Sequence, residues 1–341
     1  MRKQAANIKN NEQGLVAIVV TMVIMIVLTL IVLGFTQLAR REQREALDRQ
    51  LASQAFYAAE SGINDARRLL KTPAYESGDL EKTDCASTNS SLDGDTSQYP
   101  CLLIKQKLPD AKFQNVQTNK STVVPINPEP LPGQVATNKL TISWENRDGD
   151  TGINSDPGLP PAGTWGKKIG MLRIDLIPAD TLSASAMRDG TFTAFLRPKA
   201  TPTGSEYVVP YTATLSDQGQ IINANCATGN GAKKKCYATI TNLTGLRYYI
   251  RMKAIYNVAD VVVCPDDQDC GGEVILKGTQ AEIDVTGRAN DVLKRVQVRV
   301  SKEPQFDGSS VIPEYALDSA ESVCKLFSVW PGDGSEAACT P

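Results

Sequence analysis

The sequence predicts an α+β protein: a long N-terminal helix, membrane-spanning in its first half and amphipathic in its second, packed on an antiparallel β-rich head with disulfide-stapled loops. Three observations predict it. A charge-free run fills residues 14–39. A stripe of small and apolar residues follows at helical spacing. The later half of the chain alternates apolar and polar residues, and all eight cysteines come after the apolar run.

The run from Gly14 to Ala39 is dominated by Val, Ile, Leu and Met. A hydrocarbon layer about 30 Å thick is crossed by about 20 helical residues, so the run is long enough to span. It exceeds the roughly 7–15 apolar residues of a secretory signal. Arg2, Lys3 and Lys9 precede it and Arg40, Arg41, Arg44 and Arg49 follow it, so charge asymmetry alone chooses no orientation. The cysteines choose one. Cys85, Cys101, Cys226, Cys236, Cys264, Cys270, Cys324 and Cys339 fall two by two as near neighbours, as disulfides do in an oxidising compartment. Eight cysteines allow about 105 pairings, so spacing leaves the connectivity open. No two lie at the C-x2–4-C spacing of a zinc site. The bulk of the chain is therefore expected outside the cytoplasm and residues 1–14 inside it.

Beyond the run, Leu47, Leu51, Ala55, Ala58, Gly62, Ala66 and Leu69 recur every three or four residues, which draws one stripe along a helix. Arg41, Glu45 and Arg49 offer two i,i+4 ion pairs. Nothing breaks a helix before Pro73. A helix over 15–72 with a spanning half at 15–39 follows. Its second half is Ala-rich and needs a surface to lie on, and a plain anchor has no use for it.

A basic leader ending in Gly, a charge-free run and then "FYAAESGINDARR" resemble the N-terminus of type IV pilins, in particular large minor pilins of the PilX-like type. The resemblance covers about the first seventy residues. It implies that residues 1–14 are a leader, that a membrane prepilin peptidase cuts after Gly14, and that Leu15 becomes a methylated N-terminus. It also implies partners: that peptidase, other pilin subunits, the inner-membrane assembly platform, and membrane lipid before assembly. One departure stands out. Major pilins carry Glu at the fifth mature position, facing a neighbour's amine, and here that position is Val19. An ammonium in an apolar bundle is costly without a carboxylate. A tip subunit has no amine ahead of it to meet, so Val19 argues for a tip or initiating role. It fits an uncleaved helix equally well.

Residues 73–165 read as loops and short strands, with "KLTISWE" (Leu140, Ile142, Trp144) the clearest strand. Residues 166–341 read as the β-rich head. There "MLRIDLI" points Leu172, Ile174 and Leu176 one way. "LRYYIRMKAIY" does the same with Leu246, Tyr248, Ile250, Met252, Ala254 and Tyr256. "AEIDVTGRANDVLKRVQVRVS" reads as two strands joined around Gly287–Asp291, with Val296, Val298 and Val300 on one face. Such strands are half-buried and antiparallel, and the helix's amphipathic half can cover them. Three pairings of near neighbours would staple loops, and a bridged Cys324–Cys339 would enclose Phe327 and Trp330, a candidate contact patch.

The chain has no histidine, which excludes Ser–His–Asp and Cys–His catalysis and histidine-ligated metal. No phosphate-loop motif occurs. A net charge of −2 offers no basic field for nucleic acid. No enzyme activity, cofactor or metal is expected. Asp148, Asp150, Asn154 and Asp156 resemble a calcium loop but lack its Gly and closing Glu; Asp93 with Asp95, and Asp266, Asp267 and Asp269, are shorter clusters that read as solvated turns. The function expected is a minor pilus subunit. The alternatives are an unprocessed single-pass adhesin and a type II secretion tip pseudopilin of the K type.

Overall fold

The structure is a computed structural model. It describes residues 12–76, 78–85, 91–92, 97–147, 152–153, 162–179, 189–200, 202–211, 220–226, 235–243, 247–266, 270–271 and 273–301, with backbone alone at 12–15, 76, 91 and 92. One helix, α1, runs unbroken over Glu12–Leu70. Pro73 ends it as expected, and the last turn is closed by Thr72, whose hydroxyl and backbone N–H both donate to the Leu69 carbonyl. Thr72 then caps a short second helix, Pro73–Glu76, accepting from the Tyr75 N–H at 3.0 Å. Proline suits that first helical position because its missing donor would have had no partner there.

The described strands are β1 (Ser91–Leu92), β2 (Ser97–Leu108), β3 (Ala111–Val116), β4 (Thr122–Ile126), β5 (Pro128–Pro130), β6 (Leu140–Asn146), β7 (Met171–Pro178), β8 (Phe192–Lys199), β9 (Val208–Pro210), β10 (Gln220–Asn225), β11 (Cys236–Thr241), β12 (Tyr248–Ile255), β13 (Ala259–Cys264), β14 (Val274–Ala289) and β15 (Val292–Ser301). They form an α+β architecture of two sheets, and the chain divides into two compact units.

The first unit comprises residues 1–75, 81–105 and 283–298. In it, α1 lies on the strand order β1-β2-β14-β15. The covered helix face is Ala55, Ala58, Ala59, Ile63, Ala66 and Leu70, all buried, and the sheet offers Tyr99, Ile283, Val285 and Ala289. The expected stripe is thus largely correct between residues 55 and 66. It departs at its ends: Leu47 is exposed, and Leu70 is buried where Leu69 is only half so. Small residues let the backbones approach closely. A Cβ on Gly287 would sit 2.0 Å from the Ala55 carbonyl oxygen, and one on Gly62 would meet Val285 at 2.6 Å. Tyr99 donates its hydroxyl to Asp65 on the helix.

The hairpin between β14 and β15 also departs from expectation. Gly287 and Arg288 belong to β14, and the turn is only Asn290–Asp291, with Asn290 at φ 54°. Asn tolerates that left-handed conformation. β15 carries no buried residue, and Val296, Val298 and Val300 are half-buried.

The second unit comprises residues 76–80, 106–282 and 299–341. Its ten-stranded sheet runs β3-β13-β6-β11-β10-β8-β7-β12-β4, with β9 beside β11. Most pairs are antiparallel; β8–β10 and β9–β11 are parallel. The sheet curls on itself: Ala254 of β12 donates to the Gln117 carbonyl just past β3, at 3.1 Å, and the strands from both ends of the order share one apolar core. Leu172, Ile174, Leu176, Tyr248, Ile250, Met252 and Ala254 all point into it. Two central strands are more enclosed than the half-buried expectation. Thr141 and Ser143 of β6 are buried, as is Asp175 of β7, held by Arg173 at 3.1 Å and Arg251 at 3.6 Å. Tyr256 leaves the alternation altogether: at φ 75° it stacks on Trp165 with ring centroids 4.0 Å apart. Leu246 lies outside the described residues.

Within this unit Asp110 accepts from Arg299 at 2.7 Å and faces Lys112 at 2.9 Å. Burial pushes its carboxyl up, but the two cations outweigh burial and hold it below its ordinary value. A depressed carboxylate stabilises the fold above its unfolded pKa, and that contribution fades as pH falls through the folded one. Asp110→Asn should therefore lower the thermal midpoint at neutral pH and flatten its fall between about pH 5 and pH 2. A variant whose midpoint runs parallel to the wild type across that range would contradict the assignment.

Candidate functional site: the exposed half of the long helix

From Val16 to Gln50 every residue of α1 is exposed. Val16, Ile18, Met22, Met25, Leu30 and Phe35 are each more than 60% accessible. A surface this apolar has no stable place in water, and the helix is long and apolar enough to cross a membrane. Its polar residues fit that setting too. The hydroxyls of Thr21, Thr29 and Thr36 donate to the carbonyls of Ile18, Met25 and Ile26, and Val32, at 2.7–3.0 Å. Each hydroxyl is satisfied by its own helix, as a lipid environment requires. The charge begins at Arg40. Glu45 pairs with Arg41 at 3.3 Å and not with Arg49.

Gly14 and Leu15, the expected processing point, lie in the first turn of α1. The first four N–H groups of a helix have no partner within it, so this peptide bond sits where the backbone is least held. Val19 is 55% exposed on the apolar surface.

Three of the four expected disulfides fall within the described residues: Cys85–Cys101, Cys226–Cys236 and Cys264–Cys270, with Cα separations of 4.5, 4.1 and 5.1 Å. The first ties residue 85 to β2. The second joins β11 to the residue following β10. The third closes the loop after β13. Cys324, Cys339, Phe327 and Trp330 lie outside the described residues, as do Asp93, Asp95, Asp148, Asp150, Asn154, Asp156, Asp267 and Asp269. Among the described residues no group of three or more acidic or cysteine side chains gathers as a metal site would.

Sequence reasoning missed the glycine contacts. Gly287 stood in a plausible turn, and no local signal distinguishes a turn glycine from one pressed against a helix.

A membrane-length helix continues here into a segment that packs on a β-sheet. Residues 13–64 match the family described as PilX N-terminal, so the chain carries a PilX-like type IV pilin N-terminal region. The matched residues lie within α1. No curated protein matches the chain. Among solved structures, the propeptide form of a Bacillus licheniformis lipase, BlEst2, aligns at 8% identity and a TM-score of 0.21. The alignment spans 62% of this chain and 42% of that one, and an overlap so poor carries no argument about fold or chemistry.

Proposed function

We propose that the protein is a minor subunit, at the tip or initiating position, of a type IV pilus or related filament. It is stored in the inner membrane through residues 15–39, with its N-terminus cytoplasmic and its β fold outside. It is cleaved after Gly14 by a prepilin peptidase, methylated at Leu15, and assembled through α1 on the inner-membrane platform. The observation that carries this reading is the division of one continuous helix: residues 55–70 lie against their own sheet, whereas residues 16–50 are exposed and first apolar, then charged.

Val19 supports the terminal position. Each cleaved subunit brings a buried amine to the filament axis, and an uncompensated buried charge costs several kcal/mol. With Val at position 19 the subunit supplies an amine but no acid. Repeated along a shaft, that cost recurs at every step. Placed once at the end, the subunit's own amine meets the carboxylate of the subunit below. Gold labelling of the β fold should mark one pole of each filament, and Val19→Glu should spread label along the shaft. Even labelling by the wild type would overturn the terminal assignment.

A further inference from the structure

We propose that Arg40 and Arg44 form a phosphate clamp that binds anionic phospholipid headgroups and fixes the depth of α1 in the membrane. The proposal rests on the reading that residues 15–39 span the bilayer. At 1.5 Å per residue that segment is about 37 Å long. A bilayer is about 30 Å thick in its hydrocarbon core and about 40–45 Å with headgroups. The residues following Ala39 therefore emerge at the level of the phosphates.

Both arginines are exposed, and neither makes an ion pair among the described residues. Arg41, between them, is engaged by Glu45 at 3.3 Å. Asp48 stands four residues after Arg44 without pairing to it; a cation N-terminal to its acid is the weaker order on a helix. Arg40 and Arg44 share one helix face, about 6 Å apart along the axis. Two like charges at that spacing repel, and an anion between them removes the repulsion. Arginine suits the task because its planar fork meets phosphate oxygens in pairs. On the orientation proposed above, the arginines lie on the exported side, where positive charge opposes topogenesis; a headgroup-binding role accounts for their presence there. A lipid with a net negative headgroup suits them better than a zwitterionic one, whose phosphate already has an internal cation.

The test is native mass spectrometry of the full chain released from detergent containing equal phosphatidylglycerol and phosphatidylcholine. The wild type should retain phosphatidylglycerol preferentially. Arg40→Gln with Arg44→Gln should reduce that preference by roughly fivefold per arginine. Arg67→Gln, about 40 Å further along the helix, should leave it unchanged. Equal retention of both lipids by the wild type would overturn the clamp. So would a preference that survives the double substitution, which would belong to Arg2, Lys3 and Lys9 or to another face. A clamp made instead for the carboxylates of a neighbouring α1 would show no lipid preference. The spanning reading fails separately, if the chain stays soluble and monomeric without detergent.

Discussion

Gly14→Val should leave the chain full-length in cells and absent from filaments, with intact mass beginning at Met1, while the wild type yields a mature chain beginning at Leu15. The expected effect is close to all-or-none. Gly14 sits in the first turn of α1, where backbone donors have no helical partner, and glycine is the ordinary residue least favourable to a helix, by about 1 kcal/mol relative to alanine. Both features make it cheap to unwind this bond into the extended form that a peptidase needs. Valine opposes the cut by bulk, since the cleavage site implied by the pilin resemblance accepts only a very small residue there. Normal maturation of the variant would show that glycine does not gate the cut. A chain starting at Met1 inside assembled filaments would count against the filament reading itself and favour an uncleaved adhesin.

Gly287→Ala should be the most damaging single-methyl substitution in the described structure, costing about 3 kcal/mol or more. The added carbon would fall 2.0 Å from the Ala55 carbonyl oxygen and 2.6 Å from the Ala59 nitrogen. Both are backbone atoms of α1, so no rotamer change relieves the clash; the helix must lift off the sheet. Gly62→Ala offers a graded comparison, because its new carbon meets the side chains of Val285 and Tyr99, which can shift. Gly34→Ala meets nothing within 4 Å and should be harmless. Thermal midpoints of the detergent-solubilised chain should fall most for Gly287→Ala, less for Gly62→Ala and not at all for Gly34→Ala. Equal midpoints for all three would refute the close packing of helix and strand.

Much of this protein was legible in its sequence because the relevant signals are local. The apolar run, the stop at Pro73 and the alternation within each strand depend on residues a few positions apart, and the bridged cysteines lie 6, 10 and 16 positions apart. Local signals erred where the answer depended on a distant partner. Asp175 alternates with Leu172, Ile174 and Leu176, the pattern of a half-buried strand, yet it is buried, with Arg251 reaching it from the next strand. Leu47 read as part of the packing stripe, yet the sheet does not extend beneath it.

What the sequence determined alone was the helix, its length and its division into an apolar and an amphipathic half, since hydropathy and periodicity are properties of consecutive residues. What only the tertiary structure decided was where that helix lies and which glycines it needs. Gly287 carries the same local signal whether it turns a hairpin or admits a helix. Only the approach of the Ala55 carbonyl, more than two hundred residues away in sequence, makes its missing side chain a packing requirement.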